Sequence, residues 1–316
     1  MREAGIEVRA VAECGAAEVA DALTRSYEGY VVPIRFSAEA YERRFRAEHL
    51  DPWASRLFLR DGAPIGILLV ARRGWTARIA ALAFVPGARG QGLGRRVLST
   101  AIDEARSRGD RALCLEVIET NAPAVRLYAA LGFTIRRRLV GYRWSPGPAA
   151  ADGATGRTDA IAARRASGSA GAAGATGATA DAIVEIDPID AARAVLRDGE
   201  PGLPWLLAGE TLAGAAPPVR AFALGQDAFA AVSVPDDDGD IRLLGIVVPQ
   251  SARRRGHASR LLRAIADAFP GRRWVVPAIV PEGLAAPFFA RLGWERSPLA
   301  QFEMALDLTP ASDSSS

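Results

Sequence analysis

Apolar and polar positions along the chain follow two regular periods. Ile6 to Val11 alternates as a short strand, and Ala16 to Ser26 repeats its apolar residues at helical spacing. A loop with aromatic residues, Tyr27 to Pro33, leads to Ser37, an N-cap for a second helix running to about Glu48. Leu57 to Arg60 and Ile65 to Arg72 read as strands joined at Asp61-Gly62, a hairpin signal between two apolar runs. A small and apolar run, Ile79 to Phe84, is the next strand. After it Val97, Leu98, Ala101, Ile102 and Ala105 recur at three and four, which predicts a helix to about Arg108. Strand Ala112 to Ile118, helix Asn121 to Leu131 with Gly132 as its C-cap, and one or two strands over Thr134 to Trp144 complete the first half.

The second half repeats this order. Ile183 to Ile186, Val219 to Leu224, Phe229 to Val234, Ile241 to Ile246, Trp274 to Ile279 and Phe302 to Leu308 read as strands. Helices are expected over Ala191 to Arg197, after Gly256, and over Leu284 to Leu292. Gly92 recurs as Gly256 at an offset of 164, and Leu131-Gly132-Phe133 recurs as Leu292-Gly293-Trp294 at an offset of 161. Self-similarity at a fixed offset of this size marks a duplicated domain. The expected organisation is a domain over 1–145, a flexible Ala/Gly-rich linker over 146–181, a domain over 182–309 and a disordered polar tail over 310–316.

Composition changes this picture little. Hydrophobic residues at 49% and charged residues at 24% are those of a globular chain long enough for two cores. No apolar run reaches membrane-spanning length and Met1 to Gly15 has no apolar signal core, so a cytoplasmic protein without a membrane partner is expected. Two cysteines, Cys14 and Cys114, and two histidines, His49 and His257, are too few and too scattered for a metal centre, and none is expected. The net charge of +3 is carried by arginine alone, with no lysine in the chain. These arginines are not interleaved with aromatics, so nucleic acid is not favoured as a partner.

Chemistry concentrates at Val85 to Leu98, VPGARGQGLGRRVL. Gly90, Gly92 and Gly94 lack the Cβ that would keep a phosphate off the backbone, and the helix that follows offers unpaired N–H groups and a positive dipole end. Arg89, Arg95 and Arg96 add positive charge. The second copy reads VVPQSARRRGHASRLL over Val247 to Leu262.

Arg-x-x-Gly-x-Gly/Ala after a strand, as Arg89 to Gly94 and Arg253 to Ala258, followed in the first copy by Asn121, Ala124, Leu127-Tyr128 and Leu131-Gly132-Phe133, resembles a tandem member of the GNAT N-acetyltransferase superfamily. The resemblance covers both domains and leaves out the linker. It implies an α/β fold of the GNAT type in each, a mixed and mostly antiparallel sheet flanked by helices. It also implies acetyl-CoA as cosubstrate, with Leu82, Ala83 and Phe84 along the pantetheine arm and Gly90, Gln91, Gly92, Leu93, Gly94, Arg95 and Arg89 at the phosphates. Asn121 would hydrogen-bond the cofactor where the sheet splays.

The stretch LEVIETNAPAVRLYAALGF is similar to that of the ribosomal-protein alanine N-acetyltransferases, which carry a base twelve residues before an acid tyrosine. Those positions here are Glu116 and Tyr128. A carboxylate among Leu113, Leu115 and Val117 is costly to bury unless used or paired, and pairing with an arginine is the structural alternative. For Tyr128 the alternative is a core aromatic with a satisfied hydroxyl. In the second copy the matching positions are Pro277, Glu282 and Phe289, so that domain is expected to have lost catalysis. Mycothiol synthases are tandem members whose active half is C-terminal, the reverse of the residues here, so that substrate is not expected. The acceptor is then a small-molecule or peptide amine, with Tyr27, Glu28 and Tyr30 as candidates for its pocket. A non-catalytic acyl-CoA-binding sensor is the alternative function.

Overall fold

The protein is described from a computed structural model that covers residues 5–32, 35–145 and 183–309. The linker expected over 146–181 and the tail over 310–316 lie outside the described residues. Two compact units emerge, one of 5–138 with 300–309 and one of 139–145 with 183–299. These differ from a division at the linker: 139–145 belong to the second unit and 300–309 to the first.

In the first unit β1 (Ile6–Ala10), β2 (Leu50–Arg60), β3 (Ala63–Arg73) and β4 (Thr76–Phe84) form an antiparallel run, with Asp61 and Gly62 both at positive φ in the β2–β3 turn. Helices α1 (Ala16–Ser26) and α2 (Ala38–Glu48) connect β1 to β2, and Ser37 caps α2 by accepting from Ala40 N–H. Helix α3 (Leu93–Ser107) crosses from β4 to β5 (Ala112–Ile118), which pairs parallel to β4. Helix α4 (Ala122–Ala129) then leads to β6 (Thr134–Trp144).

The other edge of β5 is taken by residues 300–307 from the end of the chain. They lie in β12 (Glu295–Asp307) and pair antiparallel with β5 from Gln301↔Ile118 to Asp307↔Ala112. Met304 and Leu308 are buried in the core between the sheet and α3 and α4. Leu113, Leu115 and Val117 point into that core, while Glu116 lies on the opposite face of β5, opposite Glu303 in register. Like charges placed so repel unless paired. Arg137 pairs Glu303 and Arg78 pairs Glu116.

The second unit holds β7 (Ile183–Ile186), β8 (Val219–Leu224), β9 (Ala228–Ser233), β10 (Ile241–Val247) and β11 (Trp274–Pro281), with residues 139–144 of β6 pairing antiparallel to β11. Its helices are α5 (Pro188–Asp198), the short α6 (Gly209–Ala213), α7 (His257–Asp267) and α8 (Ala286–Arg291). The chain order of the first unit is thus repeated, except that α6 stands where α2 would.

Candidate active site

Strands β4 and β5 pair only from Thr76↔Ala112 to Ile79↔Leu115 and then part. The cause is a bulge: Leu69 faces Ala81 and Val70 faces Ile79, so Ala80 is the extra residue on β4. A bulge adds local twist and ends a ladder. Arg44 from α2 holds it, donating from Nη2 to the Ala80 carbonyl at 2.5 Å. Past the bulge Leu82, Ala83 and Phe84 pair with β3 alone, so their backbone edge towards β5 is open to an extended ligand.

The glycine turn follows. Gly90 and Gly92 adopt φ 74 and φ 77, and Gly92 is the N-cap of α3. An added Cβ at either would meet nothing, so the backbone there is open to an incoming group. The first bond of α3 runs from Arg96 N–H to Gly92 O, leaving the N–H groups of Leu93, Gly94 and Arg95 without helical acceptors. Gly94 has a different reason: a Cβ would stand 3.3 Å from Leu127, so glycine lets α4 pack closely on α3. Leu93 buries its side chain in the core, and Gln91 donates to Gly87 O. Arg95 is exposed. Arg89, expected at the phosphates, instead donates to the backbone carbonyls of Phe84, Ser26 and Glu28 at 2.8, 3.1 and 2.6 Å.

In the second unit the glycine at position 90 is matched by Arg254, which holds φ 67, while Gly256 keeps φ 84. A side chain in the left-handed region costs about 1–2 kcal/mol. Gly92→Ala is therefore expected to lower stability by roughly that amount, and Arg254→Gly to raise it, by less because glycine is freer when unfolded. Melting of the two variants beside the parent checks both signs.

Glu116 is the first residue of β5 beyond the paired stretch, and its side chain is only 6% exposed. The pairing expected of a structural carboxylate is present: Arg78 donates from Nε and Nη2 to Oε2 at 2.8 and 2.7 Å. Both bonds use one oxygen. Arg78 also reaches Glu48 Oε2, and Arg44 reaches Glu48 Oε1, each at 2.6 Å. Two guanidiniums and two carboxylates thus balance in a buried network. Burial works to raise the Glu48 carboxyl, but Arg44 and Arg78 outweigh it and the net shift is downward. Sequence reasoning missed Arg44, Glu48 and Arg78. The signal was there in a lone arginine on the apolar strand RIAALAF and in the i, i+4 pair of α2.

Tyr128 is buried on α4, edge-on to Phe133 at 5.9 Å. Burial raises its phenol well above the ordinary range, and the nearby Tyr27 and Tyr30 phenols add to the rise. Tyr27 is raised to about 12 by burial, and its charged neighbours include Arg44, Glu48 and Arg78. Tyr27 thus neighbours both Tyr128 and the ion network that holds Glu116. Tyr30 packs edge-on to Tyr27 at 5.1 Å; burial raises it and a hydrogen bond with the Asn121 side chain offsets part of the rise. Asn121 is also the N-cap of α4, accepting from Ala124 N–H at 3.4 Å.

The second unit keeps the scaffold with other groups in place. Leu244 is the extra residue on β10, as Ala80 is on β4, and the β10–β11 ladder ends at Val275. An apolar cleft of about 530 Å³ lies beside its glycine turn, walled by Leu203, Leu207, Leu284 and Phe288. At the tyrosine position Phe289 is buried and stacks on Tyr142 at 4.2 Å. Glu282, at the asparagine position by count, is paired with Arg296. Among the described residues no group of three metal-ligating side chains occurs, and no helix is long and apolar enough to cross a membrane.

The acetyltransferase (GNAT) family model matches residues 17–133. The streptothricin acetyltransferase of Streptomyces lavendulae is 40% identical over 75 residues, 23% of this chain and 40% of that protein. The [ribosomal protein bS18]-alanine N-acetyltransferase of Escherichia coli is 49% identical over 59 residues, covering 18% and 40%. A mycothiol acetyltransferase of Thermomonospora curvata is 38% identical over 100 residues, covering 28% and 32%. The chain thus spans well under half the length of these curated relatives. Two solved structures match nearly its whole length: a GCN5-related N-acetyltransferase from Sphaerobacter thermophilus (TM-score 0.63, 15% identity, 99% of each chain) and a tandem GNAT protein from the clavulanic acid biosynthesis pathway (TM-score 0.60, 17% identity, 97% of this chain and 100% of that).

Proposed function

Residues 17–133 belong to the acetyltransferase (GNAT) family and the chain carries that fold in tandem, and on that premise we propose that the first unit transfers an acetyl group from acetyl-CoA to an amine. The observation that carries this reading is the splay of β4 from β5, with Glu116 at its apex and the glycine turn at its far end. The fit is a matter of unpaired backbone. An open β4 edge at Leu82, Ala83 and Phe84 suits the amides of a pantetheine arm, and the N–H groups of Gly90, Gln91, Gly92, Leu93, Gly94 and Arg95, with the Arg95 charge, suit a pyrophosphate. Asn121 stands at the mouth of the splay.

Acetyl-CoA supplies a thioester; the protein supplies proton transfer and position. Glu116 Oε1, the oxygen that Arg78 leaves unbound, takes a proton from the attacking amine, directly or through a water. Tyr128 gives its proton to the departing thiolate. Neutral amine, thioester and phenol become amide, thiol and phenolate, with the amine proton held on the base, and solvent exchange resets both groups. The acceptor class, an amine on a small molecule or a peptide, enters beside Tyr27, Glu28 and Tyr30. In the second unit Pro277 and Phe289 carry no transferable proton, so that unit does not turn over.

Tyr128→Phe is expected to lower kcat roughly a hundredfold while the melt stays near that of the parent. Unchanged turnover removes the phenol from the mechanism. Because burial lifts the Tyr128 pKa, the phenol stays protonated as pH rises past the ordinary phenol value near 10, and its activity is lost only above that. The kcat profile should therefore show no tyrosine limb between about pH 8 and 10.

The deciding assay is free-thiol release from acetyl-CoA across peptides, polyamines, amino sugars and amino acids, with Glu116→Gln as control. Release with one class, abolished in the control, establishes the transferase and its acceptor. Tight acetyl-CoA binding with no release on any acceptor returns the weight to an acyl-CoA sensor.

A further inference from the structure

One arginine recurs in both units with the same wiring. In the first, Arg89 closes the short turn after β4, and its Nε donates back to the Phe84 carbonyl at the end of that strand. Its Nη2 reaches Ser26 O, the last residue of α1, and Glu28 O two residues on. In the second unit Arg253 Nε donates to Val248 O, Nη2 to Asp198 O, the last residue of α5, and Nη1 to Glu200 Oε1. The fork thus spans a strand end, a glycine turn and the C-terminus of the first helix, whose free carbonyls attract a cation. It persists in the second unit although the base and acid positions there have become Pro277 and Phe289.

We propose that Arg89 is a positioning residue that binds the glycine turn and the tyrosine loop into one rigid piece, and that it makes no contact with the donor's phosphates. The chemistry follows from the geometry. The guanidinium has five donors in a fixed plane, and three carbonyls take the hydrogens of Nε and Nη2, the side fork with which an arginine grips a phosphate in two bonds. The carbonyls it holds flank Tyr27, and Tyr30 N–H closes the same loop by donating to Tyr27 O at 3.0 Å. The Tyr27 phenol is near enough to act on that of Tyr128, Tyr30 packs edge-on to Tyr27, and Tyr30 hydrogen-bonds the Asn121 side chain. Arg89 therefore sets where the acceptor side of the site stands relative to the donor side. Arg95, exposed at the start of α3, is the cation left to face a phosphate.

This inference rests on the acetyltransferase reading, and two donors separate them: acetyl-CoA and S-acetylpantetheine, which carries the thioester without phosphates. The full chain and its Arg89→Ala, Arg89→Lys and Arg95→Ala variants are assayed for thiol release with the best acceptor from the panel. Amide hydrogen exchange over residues 26–30 is read in parallel. Arg89→Ala is expected to lower kcat/KM by the same factor for both donors, roughly ten- to a hundredfold, with the loss in kcat and in the acceptor KM. Arg89→Lys should recover part of it, and exchange at 26–30 should accelerate in Arg89→Ala. Arg95→Ala should penalise acetyl-CoA alone.

A loss in Arg89→Ala confined to acetyl-CoA makes Arg89 a phosphate ligand and overturns the proposal, as does no loss with either donor. If the parent transfers from neither donor the acetyltransferase reading fails, and the clamp is still judged: unchanged exchange at 26–30 overturns it. Should Arg89→Ala lose its cooperative melt, Arg89→Lys carries the same two-donor comparison under the same criteria.

Discussion

A chain ending at residue 299 is expected to lose its first unit, though every residue proposed for catalysis remains in it. β5 carries Glu116, and its outer edge is paired along seven positions, Gln301 to Asp307, by the end of β12. Removing that strand leaves the β5 backbone groups without partners and uncovers the core at Met304 and Leu308. Each of those side chains is worth about 1.5–3 kcal/mol in burial, against a whole-domain stability of about 5–15 kcal/mol. The ladder and the contacts of Phe302 and Leu306 add to the loss. Residues 1–145, which the repeat marks out as a domain, are expected to fail for the same reason. Far-UV dichroism, a thermal melt and acetyl-CoA binding on both truncated chains check this. A cooperative melt with parental binding from residues 1–145 alone would mean that β6 takes the place of β12 beside β5.

Arg78→Met is expected to destabilise the first unit by about 3–5 kcal/mol, the usual cost of stripping a buried ion pair of one partner. Its side chain is 4% exposed and its guanidinium serves Glu48 and Glu116 together. Methionine fills the space and leaves two buried carboxylates facing one remaining cation, Arg44. Adding Glu116→Gln to Arg78→Met should restore part of the loss by removing one of those charges. If Arg78→Met instead melts like the parent, the network contributes specificity without stability.

Acid acts on the same network. The folded Glu48 carboxyl is depressed below its ordinary 4.5, so its contribution is fully present above that value and is lost as pH falls below it towards the folded value. Denaturation midpoints of the parent should therefore fall below about pH 4.5, and those of Glu48→Gln should fall less steeply.

Local features of this protein were legible along the chain because they depend on residues close in sequence. The hairpin at Asp61-Gly62, the helix after Gly92 and the glycine-rich turn before it each follow from a few neighbouring residues. The duplication was legible too, whereas the bulge at Ala80 and its repeat at Leu244 emerged only from the strand registers. Choice of partner is another kind of property. β6 and β12 read alike as strands, and nothing in their alternation says which of them covers β5. Arg78 and Glu116 are 38 residues apart, and Arg89 and Glu28 are 61 apart. Such charges look like surface residues or phosphate ligands until the sheet brings their partners within 3 Å. A motif names the residue types a turn requires, whereas the use of each charge depends on what folding places beside it. That is why the turn after β4 could be placed from its glycines, and why the guanidinium of Arg89 turned to the backbone.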